Sequence, residues 1–228
     1  MTRHRQIHFA LAAGAGIAAM AAPGALLAAE AGDWIVRGSI TNVGPNEDTG
    51  SASGQLAGNL SGADVEVDAQ TTLGVTGAYF VTDRIAVELL ASAPFEHDLS
   101  IDGGALNGTD LGSIEHLPPT LSVQYHFDTG TAFRPYVGAG LNYTIFTDEQ
   151  VDGEAAALGV TELELDDSTG AAVQVGVDYE LGDGWLLNAG LRYIDIDTTA
   201  EVRTASGSTD VDVDIDPWVT NIGIGYRF

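Results

Sequence analysis

After Gly32 the chain alternates apolar and polar side chains with a period of two, and this pattern constrains it more than any other feature. Period two is the strand signal, because successive side chains of a strand project to opposite faces. Val173, Val175, Val177, Tyr179 and Leu181 alternate with Gln174, Gly176, Asp178 and Glu180. Ile222, Ile224, Tyr226 and Phe228 alternate with Asn221, Gly223, Gly225 and Arg227. Eight such runs are legible, over about 34–45, 65–81, 84–100, 117–127, 134–147, 169–181, 185–202 and 210–228. Short connections at Thr82-Asp83, Asp128 to Phe133 and Gly182 to Gly184 take turns with long ones at 46–64, 101–116, 148–168 and 203–209. An even number of strands, with short turns at one end and long loops at the other, predicts an all-β, eight-stranded antiparallel transmembrane β-barrel of up-and-down topology. A soluble eight-stranded barrel of the lipocalin type is the competing architecture; it alternates too, but turns its apolar face inward.

No uncharged apolar run after Gly32 approaches the ~20 residues that a spanning helix needs. The run before it, Ile7 to Ala29, follows Arg3 and Arg5, is broken at Pro23-Gly24 and ends in small residues. That arrangement predicts a cleaved export signal over residues 1–29 and a barrel over 30–228. The chain holds 33 Asp and Glu against 8 basic residues, all arginine, for a net charge of −25. With no basic patch to meet phosphates, nucleic acid is excluded as a partner. The absence of cysteine excludes disulfides, thiolate metal sites and thiol nucleophiles.

Charges and aromatics assign the faces. Arg37, Glu88, Asp178, Arg192 and Arg227 each fall on the opposite parity from the large apolar residues of their strand. Facing lipid, an arginine near the midplane would cost ~2–4 kcal/mol; facing a lumen, it can pair. Trp34, Phe127, Tyr179, Trp185 and Phe228 lie near the short-turn ends, and Phe95, Tyr143, Phe146, Tyr193 and Trp218 toward the long-loop ends. Two aromatic levels are the girdles expected at the two membrane interfaces. Trp218 and Phe228 share a parity and stand about 25 Å apart along a tilted strand, the height of the apolar band.

Six segments then carry a resemblance. Val87 to Ala91, His116-Leu117-Pro118-Pro119-Thr120, Arg134 to Gly140, Gln174 to Tyr179, Asp195 to Ala200, and Asp216-Pro217-Trp218 through Tyr226-Arg227-Phe228 resemble the OmpW family of small outer-membrane proteins, in the family's order. The resemblance implies an eight-stranded barrel in the outer membrane of a Gram-negative bacterium, whose narrow apolar lumen is linked to passage of small hydrophobic molecules. Some members also serve as docking surfaces for colicins or phage. Where family members often carry an aromatic before the glycine of the sixth strand, this chain has Thr169, so the resemblance supplies no bulky constriction there.

Counting from the short-turn ends puts Arg37, Glu88, Gln124 and Asp178 at one level, Arg192 and Gln174 higher, and Arg227 at the floor. The first four are expected to satisfy one another and close the bottom of a lumen only just wide enough for its own side chains, with Gln174 on the path above. Gly138 and Gly140 would leave the path above them open. A molecule entering from outside would then leave sideways. Pro94, Pro118 and Pro119, at the upper ends of the paired third and fourth strands, remove ladder donors and offer a lateral opening. The competing reading has these prolines simply end the strands.

Catalysis is the rival class. His97, His116 and His126 are the histidines after the export signal, and no nucleophile arrangement accompanies them. His126 with Glu88 could form a proton pair, but a satisfied lumen histidine is the plainer reading. Asp210, Asp212, Asp214 and Asp216 alternate along one strand face, beside Asp195 and Asp197. They are weak candidates for oxygen ligands to a divalent ion, or for cation bridges to lipopolysaccharide; a solvated rim is the preferred reading. Glu162, Glu164, Asp166 and Asp167 are read the same way. The terminal Tyr226 and Phe228 look like the signal read by the outer-membrane assembly machinery. The expected function is a non-enzymatic, cofactor-free conduit whose partners are outer-membrane lipid, lipopolysaccharide and small hydrophobic solutes. The alternative is a structural or surface-interaction barrel acting through its acidic loops. Homo-oligomerisation stays open.

Overall fold

A computed structural model describes residues 29–46, 48–54, 63–103, 107–151, 153–205 and 207–228, with the side chains of 48–54 and 63–66 left aside. The export signal expected over residues 1–29 lies, Ala29 apart, outside the described residues, as does part of the first long loop. Fifteen strands and one short helix follow in order. They are β1 (Trp34–Gly44), β2 (Asp48–Gly54), β3 (Ala63–Val67), β4 (Gln70–Phe80), β5 (Ile85–Ser92), β6 (Phe95–Gly103), β7 (Asp110–Leu117) and β8 (Thr120–His126). Then come β9 (Phe133–Val151), α1 (Gly153–Ala157), β10 (Val160–Leu165), β11 (Ser168–Gly182), β12 (Trp185–Ile194), β13 (Asp197–Thr204), β14 (Gly207–Asp214) and β15 (Trp218–Arg227).

Eight of these strands close a barrel in the order β1-β4-β5-β8-β9-β11-β12-β15, with β15 returning to β1. All neighbours are antiparallel. The seven remaining strands extend it above the long-loop end, as β3-β6-β7 against the upper half of β9 and as β10-β13-β14-β2. Each strand expected from the alternation is therefore one barrel strand, in most cases followed or preceded by a separate upper strand. Only β9 runs unbroken through both levels, over 19 residues. The breaks fall at Pro45-Asn46, Asp68-Ala69, Ala93-Pro94, Pro118-Pro119, Asp166-Asp167, Asp195-Ile196 and Ile215 to Pro217, four of them at prolines, which cannot donate to a ladder.

The two faces change character at these breaks. On β14 and β15 the inward side chains pass from Val211, Val213, Ile215 and Val219 above to Asn221, Gly223 and Arg227 below. The outward ones pass from Asp210, Asp212 and Asp214 to Trp218, Ile222 and Ile224. Nothing turns over in this strand; what changes is the medium outside, water above and lipid below. In β3/β4, β5/β6 and β10/β11 the inward parity does slip by one residue across the break, as from Glu88 and Leu90 to Phe95 and His97.

That slip corrects the upper aromatic level. Phe95 and Phe146 are buried inside, leaving Tyr143, Tyr193 and Trp218 on the outer surface. Phe95 is turned in by the slip at Pro94, and Phe146 shares the inward parity of Tyr136. At the lower level Trp34, Phe127, Trp185 and Phe228 are exposed as expected; Phe133 joins them, and Tyr179 is only half-buried. Between the levels the outward side chains are apolar, among them Ile40, Leu73, Leu89, Leu121, Leu141, Val173, Leu191 and Ile222. A soluble barrel would not bear such a belt.

Candidate functional site

The interior is stacked in three layers. At the short-turn end Ile35, Ala78, Phe80, Ala86 and Leu186 form an apolar floor against Ala29. Beneath their rim Arg134 and Arg227 both donate to Glu180, at 2.9 and 3.0 Å.

Above the floor lies a polar layer. Arg37 grips Asp178 with two parallel bonds, Nε to Oδ1 at 3.0 Å and Nη2 to Oδ2 at 2.6 Å, and reaches Glu88 with Nη1 at 3.3 Å. The other Glu88 oxygen accepts from Arg192 Nη2 at 2.7 Å and from Gln174 at 3.2 Å. Arg192 also donates to the Gln174 amide oxygen at 2.7 Å. Asn188 donates to Asp178 at 2.8 Å and accepts from Asn221 at 2.7 Å, while the Arg37 guanidinium sits 5.5 Å from the centre of the Tyr136 ring. Arg37, Glu88 and Asp178 are each 2 % exposed. Two guanidinium groups and two carboxylates cancel in charge, and planar Arg–carboxylate pairing is the strong form of such contacts.

Sequence reasoning put Arg37, Glu88, Gln124 and Asp178 at one level, with Arg192 and Gln174 above it. Two corrections follow. Gln124 pairs with His126 instead, its oxygen 3.0 Å from Nε2, and its amide nitrogen meets no partner. Arg192 and Gln174 reach Glu88 and so join the layer, while Arg227 lies at the floor among its ion pairs. Tyr136, Asn188 and Asn221 were missed as members, although all three stand on inward parity. His126 packs flat against Tyr136, 5.0 Å between ring centres, and makes no bond to Glu88.

Gly138 and Gly140 face inward, but the space before them is taken. A Cβ on Gly138 would stand 3.0 Å from Gln174, and one on Gly140 only 2.2 Å from the carbonyl oxygen of Leu121. They let neighbours approach rather than hold a channel open.

The third layer is an apolar chamber inside the upper strands, closely filled by its own side chains. Val43, Val67, Phe95, Leu99, Ile114, Phe146, Leu163, Leu165, Ile194, Ile196, Val211, Val213, Ile215 and Val219 form it. At its base one wall is open in hydrogen-bonding terms. The β5–β8 ladder ends at Leu90 opposite Thr120, and β6–β7 pairing begins only at Phe95 opposite His116. Between them Ala91 to Pro94 and Leu117 to Pro119 bond to their other neighbours: Ala93 N donates to Leu73 O, and Pro119 O accepts from Tyr143 N. They do not pair with each other. Pro94 is exposed, and Pro118 is buried.

The fold, the girdles and the six segments agree with a match to the family model described as the OmpW family, over residues 30–228. The chain belongs to the OmpW family. Outer membrane protein W of Vibrio cholerae is 44% identical over 217 residues, covering 93% of this chain and 97% of that one. Its counterpart in Escherichia coli is 42% identical, covering 90% and 92%. The crystal structure of the outer membrane protein OprG from Pseudomonas aeruginosa superposes with a TM-score of 0.81 at 40% identity, covering 88% and 97%. This OmpW-family chain is thus an outer-membrane protein of a Gram-negative bacterium.

Thr169, the family departure, points outward beside Tyr143, so an aromatic there would join the girdle rather than narrow the lumen. The carboxylates nearest to a metal-like cluster are those of Asp195, Asp197 and Asp216, within 4.8 Å of one another. Of the string Asp210, Asp212, Asp214 and Asp216, only the last joins it, and its oxygens already accept from Tyr193 Oη and the Ile196 amide. Partial burial, and then crowding with the like charges of Asp195, Asp214 and Asp216, raise the Asp197 carboxyl above its usual range. Glu162 and Glu164 share Arg203 with Glu201, as a solvated rim does. Tyr226 and Phe228 lie ring to ring on the lipid side, centres 4.9 Å apart.

Proposed function

We propose that this barrel lets small hydrophobic molecules pass from the cell surface into the outer membrane, entering the apolar upper chamber and leaving sideways between Ala91–Pro94 and Leu117–Pro119. The observation that carries this reading is the interrupted ladder at the chamber's base, just above a charge-balanced polar layer. An apolar solute gains nothing by descending, since it would have to part Arg37 from Asp178 and strand buried charges. The wall beside it holds no cross-strand bonds to break. Beyond the wall lies lipid, where apolar surface gains roughly 25 cal/mol per Å² over water, so the solute needs no energy source and the protein no cofactor.

The test is transfer of a labelled apolar solute into lipopolysaccharide-containing vesicles with and without folded protein. Acceleration is expected, and Pro94→Ala with Pro118→Ala, which restores two ladder donors, is expected to reduce it. Unchanged transfer by that folded variant would remove the side exit. No acceleration by the folded native protein would remove the conduit and turn attention to the acidic loops.

A further inference from the structure

Two groups of the upper chamber have no part in a purely apolar conduit: the imidazoles of His97 and His116. They are 1% and 5% exposed and line the narrow space bounded by Val43, Val67, Ile114 and Phe146. His97 Nδ1 lies 2.5 Å from the carbonyl oxygen of Asp68. A carbonyl only accepts, so the ring hydrogen resides on Nδ1 and Nε2 carries a bare lone pair. Among the described residues that Nε2 is buried without a partner, and so is Nδ1 of His116. Thr144, the remaining side-chain hydroxyl of the lining, spends its hydrogen on Asn142. Native interiors leave few such groups unmet, and one that is aimed into a cavity asks for a ligand.

The surroundings define the ligand. The His97 and His116 rings stack 4.8 Å apart and 7° from parallel, with Phe95 5.4 Å and Phe146 6.0 Å from His116. The free space beside them is about 10 Å3, room for one hydroxyl or one water, and Phe146 also lines it. Burial keeps both imidazoles neutral, His116 held down to about 3, so the pair presents an acceptor and no cation. Carboxylates are thereby disfavoured, all the more beneath an acidic rim.

We propose that His97 and His116 form a recognition station for small neutral aromatic alcohols in passage through the chamber, whose hydroxyl donates to His97 Nε2. This rests on the conduit reading and names the solutes that the conduit prefers. A pure hydrocarbon of the same shape leaves the lone pair unmet and passes with lower preference.

The matched probes are 2-naphthol and naphthalene, offered to lipopolysaccharide-containing vesicles carrying the native protein or His97→Phe, which keeps a ring in the stack and deletes the lone pair. The ratio of protein-dependent transfer, 2-naphthol over naphthalene, is expected to fall about tenfold in the variant, the worth of one net hydrogen bond to a buried acceptor. If both solutes are carried and the ratio is the same in the two proteins, the station is overturned and the conduit stands. If the folded native protein carries neither, both readings fall. Should His97→Phe fail to fold, nitrogen NMR of histidine-labelled native protein decides. His97 Nε2 must move on addition of 2-naphthol and stay in place with naphthalene. A resonance unmoved by either, as when a fixed water already occupies the lone pair, overturns the proposal.

Discussion

Glu88 is the hinge of the polar layer, since Arg37, Arg192 and Gln174 all donate to it. Arg192 has no other carboxylate, and its Nε meets no acceptor. Glu88→Gln would leave two guanidinium groups facing one carboxylate in a space that water barely enters. Removing one partner of a buried pair costs ~3–5 kcal/mol, so urea unfolding of the barrel from lipid vesicles should shift by that amount. Adding Arg192→Met, which removes the stranded cation, should recover part of the loss. A Glu88→Gln protein as stable as the native one would show the layer to be ornamental. His116 makes a different prediction. Its folded value lies near 3 and the ordinary histidine value is ~6.5, so the unfolded chain takes up a proton that the folded chain refuses. Its contribution is intact above pH ~6.5 and shrinks as pH falls toward 3. Carboxylates add their own acid sensitivity, so the telling quantity is the difference between native protein and His116→Phe, which should widen in the variant's favour between pH 7 and 4.5.

At the scale of elements, the breaks matter more than the strands. Where Pro45, Pro94, Pro118 and Pro217 interrupt the ladders, the upper strands keep the lower order, β6-β7-β9 standing above β5-β8-β9, while the pairing between them lapses and restarts. The opposite demand operates where β11 must stay close to the start of the next break. Gly170 packs so near Asp195 that a Cβ would stand 1.9 Å from its carbonyl oxygen, and Asp195 N donates to Ala171 O at 2.9 Å. Gly170→Ala should force β11 and β12 apart at their upper ends. Overpacking of this kind costs ~1–3 kcal/mol, and amide exchange at Asp195 should quicken while that at Leu187, low in the same ladder, stays unchanged. Protection of Asp195 equal to that in the native protein would refute the close approach.

As a whole molecule the barrel is a column of alternating media. An apolar floor, a neutralised ionic layer and an apolar chamber lie on one axis, and the outer surface changes from lipid-facing to acidic at the girdle of Tyr143, Tyr193 and Trp218. An eight-stranded barrel leaves an interior about as wide as its own side chains, and here the narrow level is filled by paired charges. The native protein in a planar bilayer should therefore give no discrete ion-conducting steps at neutral pH. Reproducible steps would mean that the Arg37–Asp178 pair does not seal the lumen.

The sequence by itself determined the number of barrel strands, which end carries the long loops, which face meets lipid and which charges turn inward. All of these follow from period two and from a choice that each residue makes alone, between lipid and lumen. Arg37, Glu88, Asp178 and Arg192 were legible for that reason. What only the tertiary structure decided is who meets whom. Arg37 and Asp178 are 141 positions apart, and Gln174 rather than Gln124 reaches Glu88 because barrel stagger, absent from any single strand, sets the level of each side chain. The one-residue slips at Asp68-Ala69, Ala93-Pro94 and Asp166-Asp167 were equally hidden. A break erases the phase of the alternation, so Phe95 read as a girdle residue, and His97 and His116 read only as histidines without a nucleophile beside them until packing brought them together inside an apolar chamber.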